Sequence, residues 1–184
     1  MDEQTAIQRL KQGDIGGLEF LVQRHQVKAV RTAYLITRNP ALAEDVAQEC
    51  FIQAYHAIGG FDANRPFAPW FFRSVVHAAI KAAQKAEKQV LVEPSVDATW
   101  FEGLLGQAES AEDGAETSAH QQEIWDALRQ LSPRQRAVVV QRYYLDMSEK
   151  EMAMQSNVAP GTVKWLLNAA RQRLRILLGG RDAQ

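Results

Sequence analysis

The sequence has 184 residues, of which 46% are hydrophobic and 23% charged, and its formal net charge is -1. This composition is typical of a soluble globular protein and excludes collagen-like and wholly disordered chains, while the balanced charge excludes a uniformly basic nucleic-acid coat protein. Cys50 is the only cysteine, so an internal disulfide and a multi-cysteine metal site are also excluded. Residues 1–14 lack the apolar core of a signal peptide, and no apolar stretch is long enough for a membrane span, so we expect a cytoplasmic protein without membrane insertion.

Charge is distributed unevenly along the chain. Residues 1–87 carry a net charge of +1, residues 88–120 carry -6 and residues 121–184 carry +4. The acidic stretch contains prolines and glycines and few apolar side chains, so it has little burial to offset the entropy cost of ordering. We therefore predict three parts: an N-terminal domain at residues 1–90, a flexible acidic linker at 91–119 and a C-terminal domain at 120–184. The apolar linker residues are expected to pack on one of the domains or on a partner: Trp100, Phe101, Leu104 and Leu105.

Hydrophobic periodicity and breaker residues predict four helices in the N-terminal domain. A short first helix ends at Gly13-Asp14, a second covers about 17–36, a third covers about 40–58, and a fourth covers about 67–88 after a turn-rich loop at 59–66. The second helix has Leu18, Leu21, Val22, Val30, Tyr34 and Leu35 as expected core residues. The third carries an apolar i+4 stripe of Leu42, Val46, Cys50, Ala54 and Ile58. No segment has the alternation of a β-strand, so we predict an all-α protein.

The C-terminal domain has the signals of a helix-turn-helix. Ser132-Pro133 is typical of a helix start, and that helix is expected to end near residue 145. Ser148 and Glu151 have capping-box spacing, Asn157 suits the left-handed conformation of a tight turn, and Pro160 begins a last helix that ends near Leu178. One side of that helix is apolar, with Val163, Leu167, Ala170, Leu174 and Leu177. The other side is mainly polar and basic, with Lys164, Trp165, Asn168, Arg171, Gln172 and Arg175.

The polar side of the last helix leaves two interpretations open. It fits a helix that reads the DNA major groove, because arginine and asparagine make bidentate contacts with guanine and adenine edges. It also fits an ordinary amphipathic helix whose basic face is solvated.

Two features of the N-terminal domain suggest binding surfaces. The third helix is predicted to expose a mixed acidic and apolar face, which suits a protein interface. Aromatic and basic or amide side chains alternate between Phe61 and Arg73, a pattern that can hold unstacked bases. We expect at least half of these rings to belong to the core instead.

Taken together, these segments resemble the extracytoplasmic-function (ECF) group of bacterial sigma factors. Residues 39–51 (NPALAEDVAQECF) are similar to the family's DAEDLVQEVF helix, and residues 61–73 are similar to its F-x-x-x-x-P-F-x-x-W-L-x-R segment. Residues 131–136 (LSPRQR) and 161–164 (GTVK) are similar to L-P-x-x-x-R and G-T-V-K. The chain departs from the family where Trp165 and Leu166 replace a frequent Ser-Arg pair.

The resemblance implies a fold, a function and a set of site residues. It implies sigma region 2 and region 4 domains that bind core RNA polymerase, read the −10 and −35 promoter elements and help to melt the −10 region. Core binding to the β′ clamp helices is assigned to Asp45, Gln48, Glu49 and Ile52. Contact with −10 DNA is assigned to Phe61, Asp62, Asn64, Arg65, Trp70 and Arg73. Contact with −35 DNA is assigned to Thr162, Lys164, Trp165, Asn168, Arg171 and Arg175. The β flap, promoter DNA and an anti-sigma factor are the further implied partners, and the linker is implied to thread towards the polymerase active-site cleft.

Other classes of protein are less well supported by the sequence. The four histidines, His25, His56, His77 and His120, have no metal-ligand spacing, and no catalytic motif is present, so we expect no enzyme activity, no metal and no cofactor. A helix-turn-helix regulator that binds DNA without polymerase is the main alternative. A protein-binding adaptor whose basic helix never meets DNA is another.

Overall fold

The computed structural model describes residues 1–89 and 116–179, and the chain divides into two compact units, Met1–Lys85 and Ala86–Gln184. Both described ranges are helical and neither contains a β-strand, which confirms the all-α prediction. Most of the predicted linker, including its aromatic cluster, lies outside the described residues. A helix begins at Glu116, within the last residues of the predicted linker.

Residues 1–89 contain four α-helices. They are α1 (Glu3–Lys11), α2 (Gly16–Thr37), α3 (Pro40–Ala57) and α4 (Phe67–Gln89), and a 3₁₀ turn at Ile58–Gly60 follows α3. Asp2 caps α1 by accepting a 2.7 Å hydrogen bond from the Thr5 amide, and Asn39 caps α3 through the Leu42 amide at 3.0 Å. Arg38 ends α2 in the left-handed conformation, with φ of 58°. The breaker residues therefore stop and start the helices where the sequence predicted.

Helix α1 packs closely on the start of α2 because residue 17 is glycine. A Cβ atom at Gly17 would overlap the Ala6 carbonyl oxygen and would lie 2.8 Å from the Leu10 amide nitrogen. Since these are backbone atoms, they cannot move aside as a flexible side chain could. Gly17 thus fixes the position of α1 against α2.

The buried face of α2 differs from the predicted one. Leu21 and Tyr34 are buried as expected, whereas Leu18, Val22, Val30 and Leu35 are only half-buried. His25 and Thr32 are buried instead. Both have hydrogen-bond partners: the Thr32 hydroxyl donates to the Lys28 carbonyl at 2.7 Å, and the His25 Nε2 atom lies 2.9 Å from a carboxylate oxygen of Glu3. Polar side chains that are satisfied in this way can be buried at little cost.

The apolar stripe of α3 is buried over most of its predicted length. Val46, Cys50 and Ala54 are in the core, as is Ile58 just after the helix, while Leu42 is half-buried. Burial raises the pKa of the Cys50 thiol to about 11, so the thiol is protonated at neutral pH.

Residues 116–179 contain four further α-helices. They are α5 (Glu116–Arg129), α6 (Pro133–Tyr143), α7 (Glu149–Ser156) and α8 (Pro160–Gly179). Ser148 and Glu151 form the predicted capping box, in which the Glu151 amide donates to the Ser148 hydroxyl oxygen at 3.2 Å and the Ser148 amide donates to the Glu151 carboxylate at 2.7 Å. Ser132 and Gln135 form a second capping box at the start of α6, where the sequence had predicted only a serine cap.

Helices α7 and α8 form a helix-turn-helix. Asn157 ends α7 in the left-handed conformation, with φ of 51°, and Pro160 begins α8 three residues later. The shared core consists of Val138, Met147, Met152, Ala153, Val163 and Leu167. Because the apolar side of α8 is used in this core, its opposite side faces outwards.

Candidate functional site

The four predicted core-binding residues share one exposed face of α3. Asp45, Gln48, Glu49 and Ile52 follow the i, i+3, i+4, i+7 spacing of a helix face, and all four are exposed. Tyr55, one turn further on, is also exposed and extends the apolar part of this face. The sequence analysis missed Tyr55, although its spacing of three from Ile52 was a usable signal. Two carboxylates beside two large apolar side chains suit a protein partner with a basic and apolar surface.

Asp62 organises the loop that connects the 3₁₀ turn to α4. One of its carboxylate oxygens accepts hydrogen bonds from the Asn64 amide at 3.0 Å and from the Asn64 side-chain nitrogen at 3.1 Å. The Arg65 amide donates to the Asp62 carbonyl at 3.0 Å, and the Arg65 guanidinium lies 3.6 Å from the Asp62 carboxylate. Asn64 and Arg65 are exposed, so the loop presents their amide and guanidinium groups to solvent in one defined conformation.

The aromatic side chains near this loop form its apolar support. Phe61, Phe67, Phe71 and Phe72 are buried and Trp70 is half-buried, which agrees with the expectation that at least half of these rings belong to the core. The Phe61 ring lies 4.8 Å from the Trp70 ring between centroids. The Phe61 ring therefore packs inside the protein against Trp70 and is not free to stack on a base in this conformation. Of the other predicted contacts, Arg73 is exposed on α4.

Helix α1 contacts both ends of the loop. The Lys11 ammonium donates a 2.7 Å hydrogen bond to the Phe61 carbonyl, and the Phe67 amide at the start of α4 donates to a Glu3 carboxylate oxygen at 3.3 Å. The other Glu3 oxygen lies 2.9 Å from His25 Nε2 and 3.3 Å from Arg24 Nε. Burial lowers the pKa of His25, although its hydrogen bond to Glu3 opposes that shift. The sequence analysis did not identify Glu3 or Lys11, since their partners are far away in the chain.

The outward face of α8 carries all six residues predicted to contact −35 DNA. Five are exposed: Thr162, Lys164, Trp165, Asn168 and Arg175. Trp165 has two thirds of its surface accessible (67%), so it is a surface side chain rather than a core one. Arg171 is half-buried because its guanidinium lies against Tyr143 of α6, where Nε donates to the phenol oxygen at 2.9 Å. The sequence analysis did not connect Tyr143 with this face of α8.

Electrostatics favour an anionic partner for α8. The helix contains four basic residues (Lys164, Arg171, Arg173 and Arg175) and no acidic residue between positions 160 and 179. Cationic side chains on one helix neutralise backbone phosphates and release their counterions, which is the main source of affinity for DNA. The amide of Asn168 and the guanidinium of Arg175 are exposed on this face, and both are groups that can make bidentate contacts with base edges.

Within residues 1–89 and 116–179, no group of three or more histidine, cysteine, aspartate or glutamate side chains is placed to hold a metal ion. None of the helices in these two ranges combines the length and the apolar character that a membrane crossing needs.

Comparisons with known proteins identify a family for each of the two helical regions. Residues 21–89 match the family model for sigma-70 region 2, and residues 121–174 match the model for sigma-70 region 4. The chain is 30% identical over 175 residues to the ECF RNA polymerase sigma factor SigW of Bacillus subtilis, with 92% of each chain covered. It is 28% identical over 184 residues to the RNA polymerase sigma-H factor of Pseudomonas aeruginosa, with 94% of this chain and 91% of that protein covered.

Solved structures share the fold. CnrH, in a complex with the cytosolic domain of CnrY, matches with a TM-score of 0.68 and 22% identity over 98% of this chain and 99% of its own. The sigma factor RpoE of Bartonella quintana, in a complex with the anti-sigma factor NepR, matches with a TM-score of 0.61 and 20% identity, covering 88% of this chain and 97% of its own. Both sigma regions are present in order and the identity to SigW extends over nearly the whole chain, so the chain belongs to the ECF sigma factors, the subunits that bind core RNA polymerase and direct promoter-specific initiation of transcription.

Proposed function

We propose that the two domains of this sigma factor recognise different elements of the promoter. Residues 1–90 bind core polymerase and recognise and melt the −10 element, and residues 120–184 read the −35 element through α8. The observation that carries the proposal is the outward face of α8, which is basic, free of acidic residues and held outwards by an apolar core. No enzymatic step and no cofactor is part of this function. The protein acts in the cytoplasm, where the polymerase is.

On α8, we assign different tasks to different side chains. Lys164 and Arg175 are exposed cations suited to phosphate contacts, and Asn168 is suited to bidentate contact with adenine. Trp165 presents an exposed indole that can pack on sugars or on a thymine methyl group. Thr162 lies in the first turn of α8, where its hydroxyl can donate to a phosphate. Arg171 is orientated by Tyr143.

For the −10 element, we assign base capture to the loop at residues 61–66 and assistance in melting to α4. Asn64 and Arg65 supply the exposed polar groups, and Asp62 holds them in position. Phe61 and Trp70 pack on each other as the apolar support of the loop, and we do not assign them as free stacking rings. Arg73 lies one to two turns into α4 and is exposed for a phosphate contact.

We assign core polymerase binding to the face of α3 that carries Asp45, Gln48, Glu49 and Ile52, with the β′ clamp helices as its partner. The β flap is proposed as a partner of the C-terminal domain.

Asp45→Arg reverses a charge in this face and is expected to weaken core binding by at least ten-fold while leaving the fold intact, because like charges across an interface repel. Glu19→Arg is the matched control, since it reverses an exposed charge on α2 outside this face. Equal core affinity for both variants would remove the α3 face from the proposal.

We also propose that an anti-sigma factor binds this protein. The support is that two structural neighbours, CnrH and RpoE, were solved in complexes with CnrY and with the anti-sigma factor NepR. The acidic linker, which lies mostly outside the described residues, is proposed to thread through the basic nucleic-acid channel of the polymerase.

The experiment that tests the function is run-off transcription with purified core polymerase on a pool of genomic fragments, with and without the protein. Discrete transcripts that require the protein are expected, and their start sites give the promoter consensus. Specific DNA binding by the protein alone, with no effect on transcription by the core enzyme, would favour the core-independent regulator instead.

A further inference from the structure

Two charged side chains of α1 hold the two ends of the loop at residues 61–67. Lys11 donates to the Phe61 carbonyl at 2.7 Å, and Glu3 accepts from the Phe67 amide at 3.3 Å. Both contacts join a helix at the start of the chain to a segment 50 or more positions away. Helix α1 also lies before residue 21, where the match to sigma-70 region 2 begins.

The Glu3 contact is itself supported from α2. The second carboxylate oxygen of Glu3 contacts His25 and Arg24, so the carboxylate is held between α2 and the first turn of α4. A negative charge at a helix N-terminus interacts favourably with the unpaired amides there, and Phe67 provides one of these amides. The His25 ring packs in turn on the Phe67 ring, with 5.5 Å between centroids. The C-terminal end of the loop is therefore fixed by one connected set of contacts.

The N-terminal end depends on Lys11 in a simpler way. Phe61 is buried, so its backbone carbonyl needs a hydrogen-bond partner, and the Lys11 ammonium supplies it. Hydrogen bonds that involve a charged group are stronger than neutral ones. Between these two fixed ends, Ala63 is half-buried and the remaining residues are exposed: Asp62, Asn64, Arg65 and Pro66.

We propose that Glu3 and Lys11 are positioning residues for the −10 contact: they hold the loop in the conformation that receives a base of the non-template strand, without touching DNA themselves. This inference rests on the function proposed above for the loop. It makes α1 part of promoter recognition.

The test measures binding of a fluorescein-labelled single-stranded oligonucleotide, with the non-template −10 sequence identified by run-off transcription, to the reconstituted holoenzyme. Lys11→Met and Glu3→Gln are each expected to weaken binding about three- to ten-fold. Lys11→Met removes the hydrogen bond to the Phe61 carbonyl, whereas Glu3→Gln keeps an acceptor but removes the charge that strengthens the contacts with Phe67 and Arg24. Lys11→Arg is expected to restore binding to within about two-fold of the parent protein, because it keeps the donor. Arg9→Gln is the matched control, since it removes an exposed ion pair of α1 with Asp14 that does not involve the loop.

The signs of the two charge changes separate positioning from general electrostatics. Lys11→Met removes a positive charge and Glu3→Gln removes a negative one, so an effect of net charge on DNA binding would weaken one variant and strengthen the other. Weakening of both variants supports positioning. Opposite signs would overturn it, as would an equal loss of affinity for core polymerase, which would indicate a general loss of structure.

Loop variants distinguish failure of this inference from failure of the proposed function. If Asn64→Ala and Arg65→Ala weaken oligonucleotide binding while Lys11→Met and Glu3→Gln behave like Arg9→Gln, then the loop binds DNA and α1 does not position it. If the two loop variants bind as tightly as the parent protein, the loop assignment fails and the inference falls with it.

Discussion

The two proposed DNA-binding surfaces are built in different ways. On α8, the helix backbone sets the spacing of the side chains, and the face points outwards because the opposite side is buried. The loop at residues 61–67 has no such scaffold, and its shape depends on Asp62 within it and on α1 and α2 outside it. We infer that residues on α8 act largely one by one, whereas the loop responds as a unit to changes at distant positions.

The largest effect is expected from Gly17→Ala, which tests the dependence of the loop on α1. Alanine normally stabilises a helix relative to glycine by roughly 0.5–1 kcal/mol. Here its Cβ would overlap backbone atoms of α1, so we expect a net destabilisation of about 1–3 kcal/mol, typical of overpacking.

Thermal unfolding of the full chain measures this change, and hydrogen exchange of the amides at 61–67 reports on the loop. Gly59→Ala is the control, because nothing lies within 4 Å of the Cβ position there. Similar stability of the two variants would mean that α1 is not held by the close approach at Gly17.

The next largest effect is expected from Lys164→Ala and Arg175→Ala, which test whether residues on α8 act independently. Affinity falls as salt rises, and each lost phosphate contact should reduce the magnitude of the slope of log affinity against log salt concentration by roughly 1. The double variant should reduce it by roughly 2. The measurement is promoter affinity of the holoenzyme over a series of KCl concentrations. Arg129→Ala is the control, since this charge is on α5 and is paired with Asp126. A double variant with the slope of a single one would contradict independent action.

A smaller effect is expected from Tyr143→Phe, which removes only the hydroxyl that accepts the hydrogen bond from Arg171. We expect −35-dependent transcription to fall about two- to five-fold, because the guanidinium loses one orientating contact while its charge is kept. The salt slope should stay at the parent value. A template without a −35 element provides the comparison, and an equal decrease on both templates would separate Tyr143 from −35 recognition.

The smallest effect is expected from pH and concerns His25. Because burial lowers its folded pKa below the ordinary value of 6.5, an unfolded chain binds the proton first as pH falls. The contribution of neutral His25 to folding stability is therefore complete above about pH 6.5. It is lost as the pH falls towards the lower pKa that His25 has in the folded protein. The charged groups around the ring are Glu3, Arg24 and Lys28, of which Glu3 opposes the shift.

Unfolding midpoints between pH 7.5 and 5.5 check this prediction. The decrease in stability should be smaller in His25→Gln than in the parent protein. His56→Gln, at an exposed position on α3, should keep the full decrease. The same decrease in all three proteins would place the acid sensitivity elsewhere.

The sequence predicted what depends on neighbouring residues and missed what depends on distant ones. The capping box of Ser148, the turn at Asn157 and the start at Pro160 each follow from a few adjacent residues, and all three are present. The contacts of Glu3 with Phe67 and of Lys11 with Phe61 join residues 64 and 50 positions apart, and no local pattern indicates them.

Aromatic side chains show the same limit. The alternation of rings and polar groups from Phe61 to Arg73 was compatible with rings in the core and with rings on the surface. Only the packing of α4 places the four phenylalanines inside. For the candidate site, the sequence therefore identified the exposed polar residues better than it identified the groups that hold them.

Cys50 has a consequence for how this protein can receive a signal. The thiolate is the form of cysteine that oxidants attack, and in the folded protein the thiol is buried with its pKa raised to about 11. It is also the single cysteine among the 184 residues, so none of the other residues of this sequence can form a disulfide with it. A thiol-reactive oxidant that changes promoter selection by this sigma factor is therefore expected to act on one of its partners.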